Sequence, residues 1–150
     1  MDGGGDIHVG GGANSRASPA VVFALLKDSS SWPSWSMFIS SGIERAGDDD
    51  PEGVGAIRTF ATRVSRTREL VTKFVPDRQV SYQLLSGFPF HNFHADVVLT
   101  PSGGGTRIDW TASFHCRYGT GRFWRAFMNK VPSDMAKQLA VAAEAPNRSG

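Results

Sequence analysis

The chain has 150 residues, 40% hydrophobic and 20% charged, enough for one globular domain that buries about 70% of its unfolded surface. A formal net charge of +2 leaves no bulk signature of nucleic-acid binding. The single cysteine, Cys116, excludes an internal disulfide and fits a reducing compartment. No apolar run approaches the ~20 residues a membrane-spanning helix requires.

Met1-Asp2-Gly3-Gly4-Gly5-Asp6 is acidic and glycine-rich where a signal peptide is basic and then apolar, so a cytoplasmic protein is expected. Residues 1–5 and 147–150 are expected to be loose, flanking one domain over 6–146. Ile7 to about Ala17 reads as a strand, but Gly10-Gly11-Gly12 makes it a poor one, bulged or at a sheet edge. Ser18-Pro19 supplies a hydroxyl N-cap and a proline at the first helical position. The helix that follows carries Val21, Val22, Phe23, Leu25 and Leu26 and stops near Lys27-Asp28. A second short helical turn or loop holds Trp32 and Trp35.

From Gly42 to Cys116 the pattern changes to alternation punctuated by turn residues. Strands are expected near 42–47, 54–63, 66–75, 79–87, 92–100 and 105–117, with links short enough to make neighbours antiparallel. After Gly119-Thr120-Gly121 a helix is expected to run to about Ala145. Its apolar stripe is Phe123, Phe127, Val131, Met135 and Leu139, with Trp124 and Met128 alongside. Pro132 lies inside this helix and predicts a bend or break there.

Parity along the strands sorts the side chains. Thr106, Ile108, Trp110, Ala112, Phe114 and Cys116 share an inner face, as do Val80, Tyr82 and Leu84, and Phe93, Ala95, Val97 and Leu99. Two charges fall on apolar parity: Arg58 between Ala56 and Phe60, and Glu69 with Val71. Both then point inward from adjacent strands. A structural ion pair, a register shift that turns both outward, and a polar anchor inside an apolar pocket all fit that pattern.

The other motifs have plain explanations. His91-x-x-His94 lacks a full zinc ligand set, and a spacing of three along a strand sends the two rings to different faces, so no metal is expected. Cys116 and His115 are strand neighbours that point oppositely, which favours a buried, inert cysteine over a nucleophile–base pair. Gly103-Gly104-Gly105-Thr106 has no following lysine and leads into a strand, so it is a hairpin turn and not a phosphate loop. Arg63, Arg66, Arg68 and Lys73 form a basic patch. RNA binding needs exposed aromatics interleaved with such charge, and the aromatics here lie on buried parity. A solvated strand edge accounts for the patch; attraction to an anionic membrane during ligand delivery is its other reading. Asp96 and Asp109 fall on outer faces.

In their order and spacing, Ser18 to Asp28, Trp32-Pro33-Ser34-Trp35, Gly53 to Arg58, Arg68-Glu69-Leu70-Val71, Gly104 to Trp110 and the final helix resemble the START-like superfamily of polyketide cyclase/dehydrase and lipid-transport proteins. The resemblance covers nearly all of Ile7 to Ala145. It implies an α+β helix-grip fold: about seven antiparallel strands curved around a long C-terminal helix, with two short helices near the N-terminus. It also implies a cavity between sheet and helix for a hydrophobic small molecule such as a lipid, polyketide or quinone. No catalytic motif and no cofactor come with it. The expected lining is Trp35, Phe38, Phe60, Leu84, Phe93, Trp110, Phe114, Phe127, Val131 and Met135. The leading expectation is binding, transport or sequestration without stable membrane insertion. The alternative is a polyketide aromatase/cyclase or dehydrase with Glu69 or Tyr82 as general acid/base and Arg58 as an oxyanion stabiliser. An interaction module with a protein partner is a third reading.

Overall fold

The alternating middle of the chain builds one antiparallel sheet in a computed structural model that describes residues 6–116 and 121–145. The expected loose segments at 1–5 and 147–150, and the turn at Gly119-Thr120, lie outside the described residues. The strands are β1 (Asp6–Ser15), β2 (Ser40–Arg45), β3 (Ile57–Ala61), β4 (Arg66–Val75), β5 (Gln79–Ser86), β6 (Phe90–Ser102) and β7 (Gly105–Cys116). Their order across the sheet is β1-β7-β6-β5-β4-β3-β2. Only β1 and β7 are far apart in sequence; every other pair of neighbours is consecutive, as short turns demand. The curved sheet wraps two C-terminal helices, α2 (Gly121–Met128) and α3 (Val131–Ala143), in a helix-grip arrangement.

At the N-terminal side, α1 (Pro19–Lys27) starts at Ser18, whose Oγ accepts from the Val21 amide at 3.4 Å. Asp28 ends α1, and its carboxylate accepts from the Ser30 amide at 3.1 Å, capping a 3-10 stretch over Ser29–Ser34. One acid therefore closes one helix and opens the next. Trp32 is pinned there by Nε1 donating to the Leu26 carbonyl at 3.0 Å.

The expected edge position of β1 and the expected break near Pro132 are both present, and three details differ from the reading. First, β1 is regular: all ten residues pair with β7 in continuous register, at the sheet edge and without a bulge. Its glycines serve packing. A Cβ at Gly11 would stand 2.5 Å from Ser133 Cβ and 2.6 Å from Ser133 Cα, so only glycine lets α3 lie this close to β1. Second, the C-terminal helix is two helices. The two helices are separated by a turn at Asn129-Lys130, in which Lys130 keeps αR dihedrals, and Pro132 sits in the first turn of α3, where its missing N–H costs nothing. Met135 and Leu139 are buried as the stripe predicts, but in α2 Met128 is buried and Trp124 packs on the core while Phe123 and Phe127 are exposed. Third, His91 and His94 lie on the same, outer face. An irregularity between them, with Asn92 at φ 53°, adds one residue to β6 and cancels the parity change. No group of three His, Cys, Asp or Glu among the described residues is placed to hold a metal ion.

The inner-face sets otherwise fall as read. Every inner residue from Thr106 to Cys116 is buried, and so are Val80, Tyr82, Phe93, Ala95, Val97 and Leu99. Asp96 and Asp109 are on the outer face, bound to Ser81 at 2.5 Å and Arg107 at 3.2 Å. Arg68 is paired with Glu44 on β2 at 2.7 and 2.8 Å.

Candidate functional site

The space between sheet and helices begins with small side chains. One row across the sheet runs Val71, Tyr82, Ala95, Ala112 and Val9 on five adjacent strands. Ala112 in that row leaves a hollow where the neighbouring row has Trp110. The resulting cavity encloses about 60 Å³. That is several times the ~10–15 Å³ one water needs, and well below the ~300–1,000 Å³ of small-molecule sites.

Of the lining residues expected from the sequence, Phe38, Leu84, Phe93, Trp110, Phe127, Val131 and Met135 stand in its wall, together with Glu69 and Tyr82. Trp35, Phe60 and Phe114 do not. Trp35 packs behind Trp32 at 5.1 Å with its Nε1 donating to Ser31 Oγ. Phe60 stacks on the far side of Trp32 at 4.5 Å, and Phe114 lies behind Phe90 at 4.4 Å. In each case another ring occupies the inward position.

Those occupying rings are what the sequence reading missed. Trp32 and Phe90 line the cavity, as do Met37, Phe88 and Met128. Trp32 and Met37 sit in non-periodic segments, where no rule gives a side-chain direction. Phe88 and Phe90 fall between the expected strands 79–87 and 92–100, whereas β6 begins at Phe90. Phe90 and Phe93 both point inward only because β6 carries its extra residue between them.

The polar groups divide into two compartments. Arg58 is fully buried at 0% exposure and Glu69 at 5%, directly opposite each other on β3 and β4. Arg58 is sealed behind Trp32 and does not reach the cavity wall. Its guanidinium carbon lies 5.1 Å from the Trp32 ring and 5.5 Å from the Phe60 ring, an arrangement that cation–π attraction favours. Its Nη1 is 3.9 Å from Glu52 Oε1 and donates to the Lys27 carbonyl at 3.5 Å. Glu52 in turn accepts from the Ser29 amide and hydroxyl at 3.1 and 3.0 Å. Arg58 Nε and Nη2, Glu52 Oε1 and Glu69 Oε1 are buried with no hydrogen-bond partner among the described residues.

Glu69 belongs to the cavity. Burial pushes its carboxyl pKa up to about 7, against the opposing pull of Arg58. Beside it, Trp110 Nε1 donates to Tyr82 Oη at 3.3 Å, which leaves the Tyr82 proton available as a donor. Burial first, then the neighbouring Glu69, drives the Tyr82 hydroxyl pKa well above its usual value, so it stays protonated. The cavity thus presents one carboxyl with a raised pKa, one phenol and the Thr67 side chain, whose hydroxyl donates to the Phe60 carbonyl at 3.4 Å, in a wall otherwise built mainly of aromatic and aliphatic groups. Cys116 is buried on the inner face with its thiol pKa raised by burial, the opposite of an activated nucleophile.

Comparison with solved structures shows the same fold widely. A START superfamily protein from Mycobacterium smegmatis superposes with a TM-score of 0.79 at 15% identity, over 93% of this chain and 98% of that one. The Zhui aromatase/cyclase from a Streptomyces species gives 0.78 at 13% identity, over 93% and 94%. The Aha1 dimer protein from Colwellia psychrerythraea gives 0.73 at 19% identity, over 94% and 98%. At such identities these likenesses concern the fold alone. Curated proteins give no match. The family described as polyketide cyclase / dehydrase and lipid transport matches residues 9–144. From β1 to the end of α3, this chain belongs to the polyketide cyclase / dehydrase and lipid transport family.

Proposed function

We propose that the protein binds one apolar small molecule, such as a lipid, a quinone or a polyketide, between its sheet and its C-terminal helices, for transport or sequestration. The observation that carries this reading is the aromatic-walled cavity with a single unpartnered carboxyl oxygen, Glu69 Oε1, among its few polar atoms. An apolar wall supplies affinity and a few convergent polar groups fix orientation. At about 60 Å³ the cavity is a seed of that site. A guest of ordinary size must displace groups in its wall, and Phe127, exposed on the short α2, is the one best placed to give way.

The test is a titration of tryptophan emission and native mass spectrometry with fatty acids, quinones and aromatic polyketides. Trp32 and Trp110 both stand in the wall and report occupancy. Saturable binding of one molecule is expected, and Ala112→Phe, which fills the hollow, should abolish it while the circular dichroism spectrum is kept. No binding across the panel, or binding indifferent to Ala112→Phe, refutes the reading.

A second reading, an aromatase/cyclase or dehydrase in the same cavity, is favoured by the Glu69–Tyr82 pair. A carboxyl titrating near 7 is poised for general acid/base work, and a protonated phenol beside it can hold a developing enolate oxygen. Arg58, behind Trp32, would act there only through its charge. Turnover of a poly-β-ketone substrate that disappears in both Glu69→Gln and Tyr82→Phe supports this reading; turnover that survives both removes it.

A further inference from the structure

Antiparallel pairing gathers four segments at one end of the sheet: the approach to β2, the β3–β4 turn, the β5–β6 turn and the start of α2. The cavity wall reaches this end through Met37 and Phe88, which come from two of those segments. Around this end, large apolar side chains stand in solvent: Ile39 is 61% exposed, Val64 94% and Phe123 64%. Met37 is also exposed there. The charge there is mainly positive. Residues 36–41, 61–67, 85–92 and 121–125 hold four of the chain's sixteen lysines and arginines, namely Arg63, Arg66, Arg122 and Arg125, and no acid, while the start of β1 brings one acid, Asp6, to the same end. All four cations are exposed. Arg68, paired with Glu44, and Lys73, toward the opposite end of β4, do not belong to the group.

We propose that this rim is a peripheral docking surface for an anionic lipid bilayer, with this end of the cavity wall directed at the lipid. Docking stands on the rim alone; passage of an apolar guest between bilayer and cavity rests in addition on the proposed binding function. Cations interleaved with protruding apolar groups match a surface that is negatively charged outside and hydrocarbon beneath. The shape favours a bilayer over a folded partner. Val64 and Ile39 project from separate loops and Phe123 from a helix, which gives no continuous flat patch for a rigid protein to cover, whereas a fluid headgroup layer closes around each projection. The arrangement needs no spanning segment, and among the described residues no helix is long and apolar enough to cross a membrane.

Vesicle flotation tests this with the full chain and two probes, phosphatidylcholine vesicles and phosphatidylcholine–phosphatidylserine vesicles. Binding to the mixed vesicles should exceed binding to the neutral ones by at least about ten-fold and should weaken as salt is raised. Arg122→Ser and Arg125→Ser should each weaken it about five-fold. Phe123→Glu and Val64→Glu, at positions too exposed to disturb the fold, should each weaken it by about ten-fold or more. Val141→Glu, near the far end of α3, should change nothing. Equal binding to both vesicles, or loss in Val141→Glu equal to that in Phe123→Glu, overturns the proposal. Capture by soluble polyglutamate without vesicle binding overturns it in favour of an acidic protein partner. Titration of the guest in solution, without vesicles, is a separate measurement. A protein that floats with anionic vesicles but takes up no guest therefore refutes the binding function and leaves the docking surface standing.

Discussion

Glu69→Gln removes a charge that the fold holds at a cost, and the size of that cost follows from its titration. The carboxyl titrates at 4.5 when unperturbed and at about 7 in the folded protein. Between those values the folded state binds more protons than the unfolded one, so stability falls as pH rises through the interval and levels off above it. Linkage gives a cost of about 1 kcal/mol at pH 5 and about 3 kcal/mol at pH 8. Glutamine keeps the shape of the neutral acid without titrating. Urea unfolding of wild type and Glu69→Gln at both pH values isolates this group, because every other titration is common to the two proteins. The variant should gain on wild type by about 2–3 kcal/mol between pH 5 and pH 8. A stability difference that stays constant over that range, or a variant that loses ground at pH 8, refutes the claim that Glu69 is a desolvated acid facing the cavity.

Arg58→Met strands the Glu52 and Glu69 carboxyls in the interior and should cost about 3–5 kcal/mol. Adding Glu69→Gln should recover at least about 1 kcal/mol of that loss in a double-mutant cycle, and strict additivity would mean the two groups do not sense each other. Trp110→Ala deletes a buried indole that also holds the Tyr82 hydroxyl, and should lower unfolding free energy by about 3–5 kcal/mol; a loss well below that would place the ring against an already open space. Gly11→Ala drives a methyl into Ser133 and should destabilise by about 1–3 kcal/mol. In the double variant with Ser133→Gly part of that loss should return, and failure to return would mean the helix does not rest on the strand at this point.

Much of this architecture was legible because it depends on a period of two. Parity alone assigned the inner faces of β5, β6 and β7, and it placed Arg58 and Glu69 on apolar parity, where the structure buries them opposite each other. What parity cannot see is depth. Phe60 and Phe114 have the correct parity for a lining role, but Trp32 and Phe90 stand in front of them, and Trp35, which has no parity, packs on Trp32. The same occlusion separates Arg58 from the cavity. Directions set by a single inserted residue were also out of reach, since Phe90 and the outer-face histidines depend on the extra residue near Asn92. The triple glycine of β1 looked like weak strand propensity because its reason lies in another element, the approach of Ser133.

That approach has a consequence for selectivity. α3 is fixed to β1 by the close seat at Gly11 and by Ser15 Oγ donating to the Ala140 carbonyl at 2.9 Å, with the Arg16 amide bonded to Glu144 at 2.7 Å beyond it. α2 is held instead by ring contacts, Trp124 on Phe90 at 5.1 Å and on Phe88 at 6.1 Å, with no such hydrogen bond to β1 among the described residues, and it joins α3 through the turn at Asn129-Lys130. On the proposed binding function, expansion of the interior would fall to the α2 side, and apparent affinity would equal intrinsic affinity scaled by the fraction of molecules with α2 drawn aside. Changes at Asn129-Lys130, which no guest would touch, are then expected to shift every dissociation constant by a common factor. The ranking among guests would stay as the wall sets it.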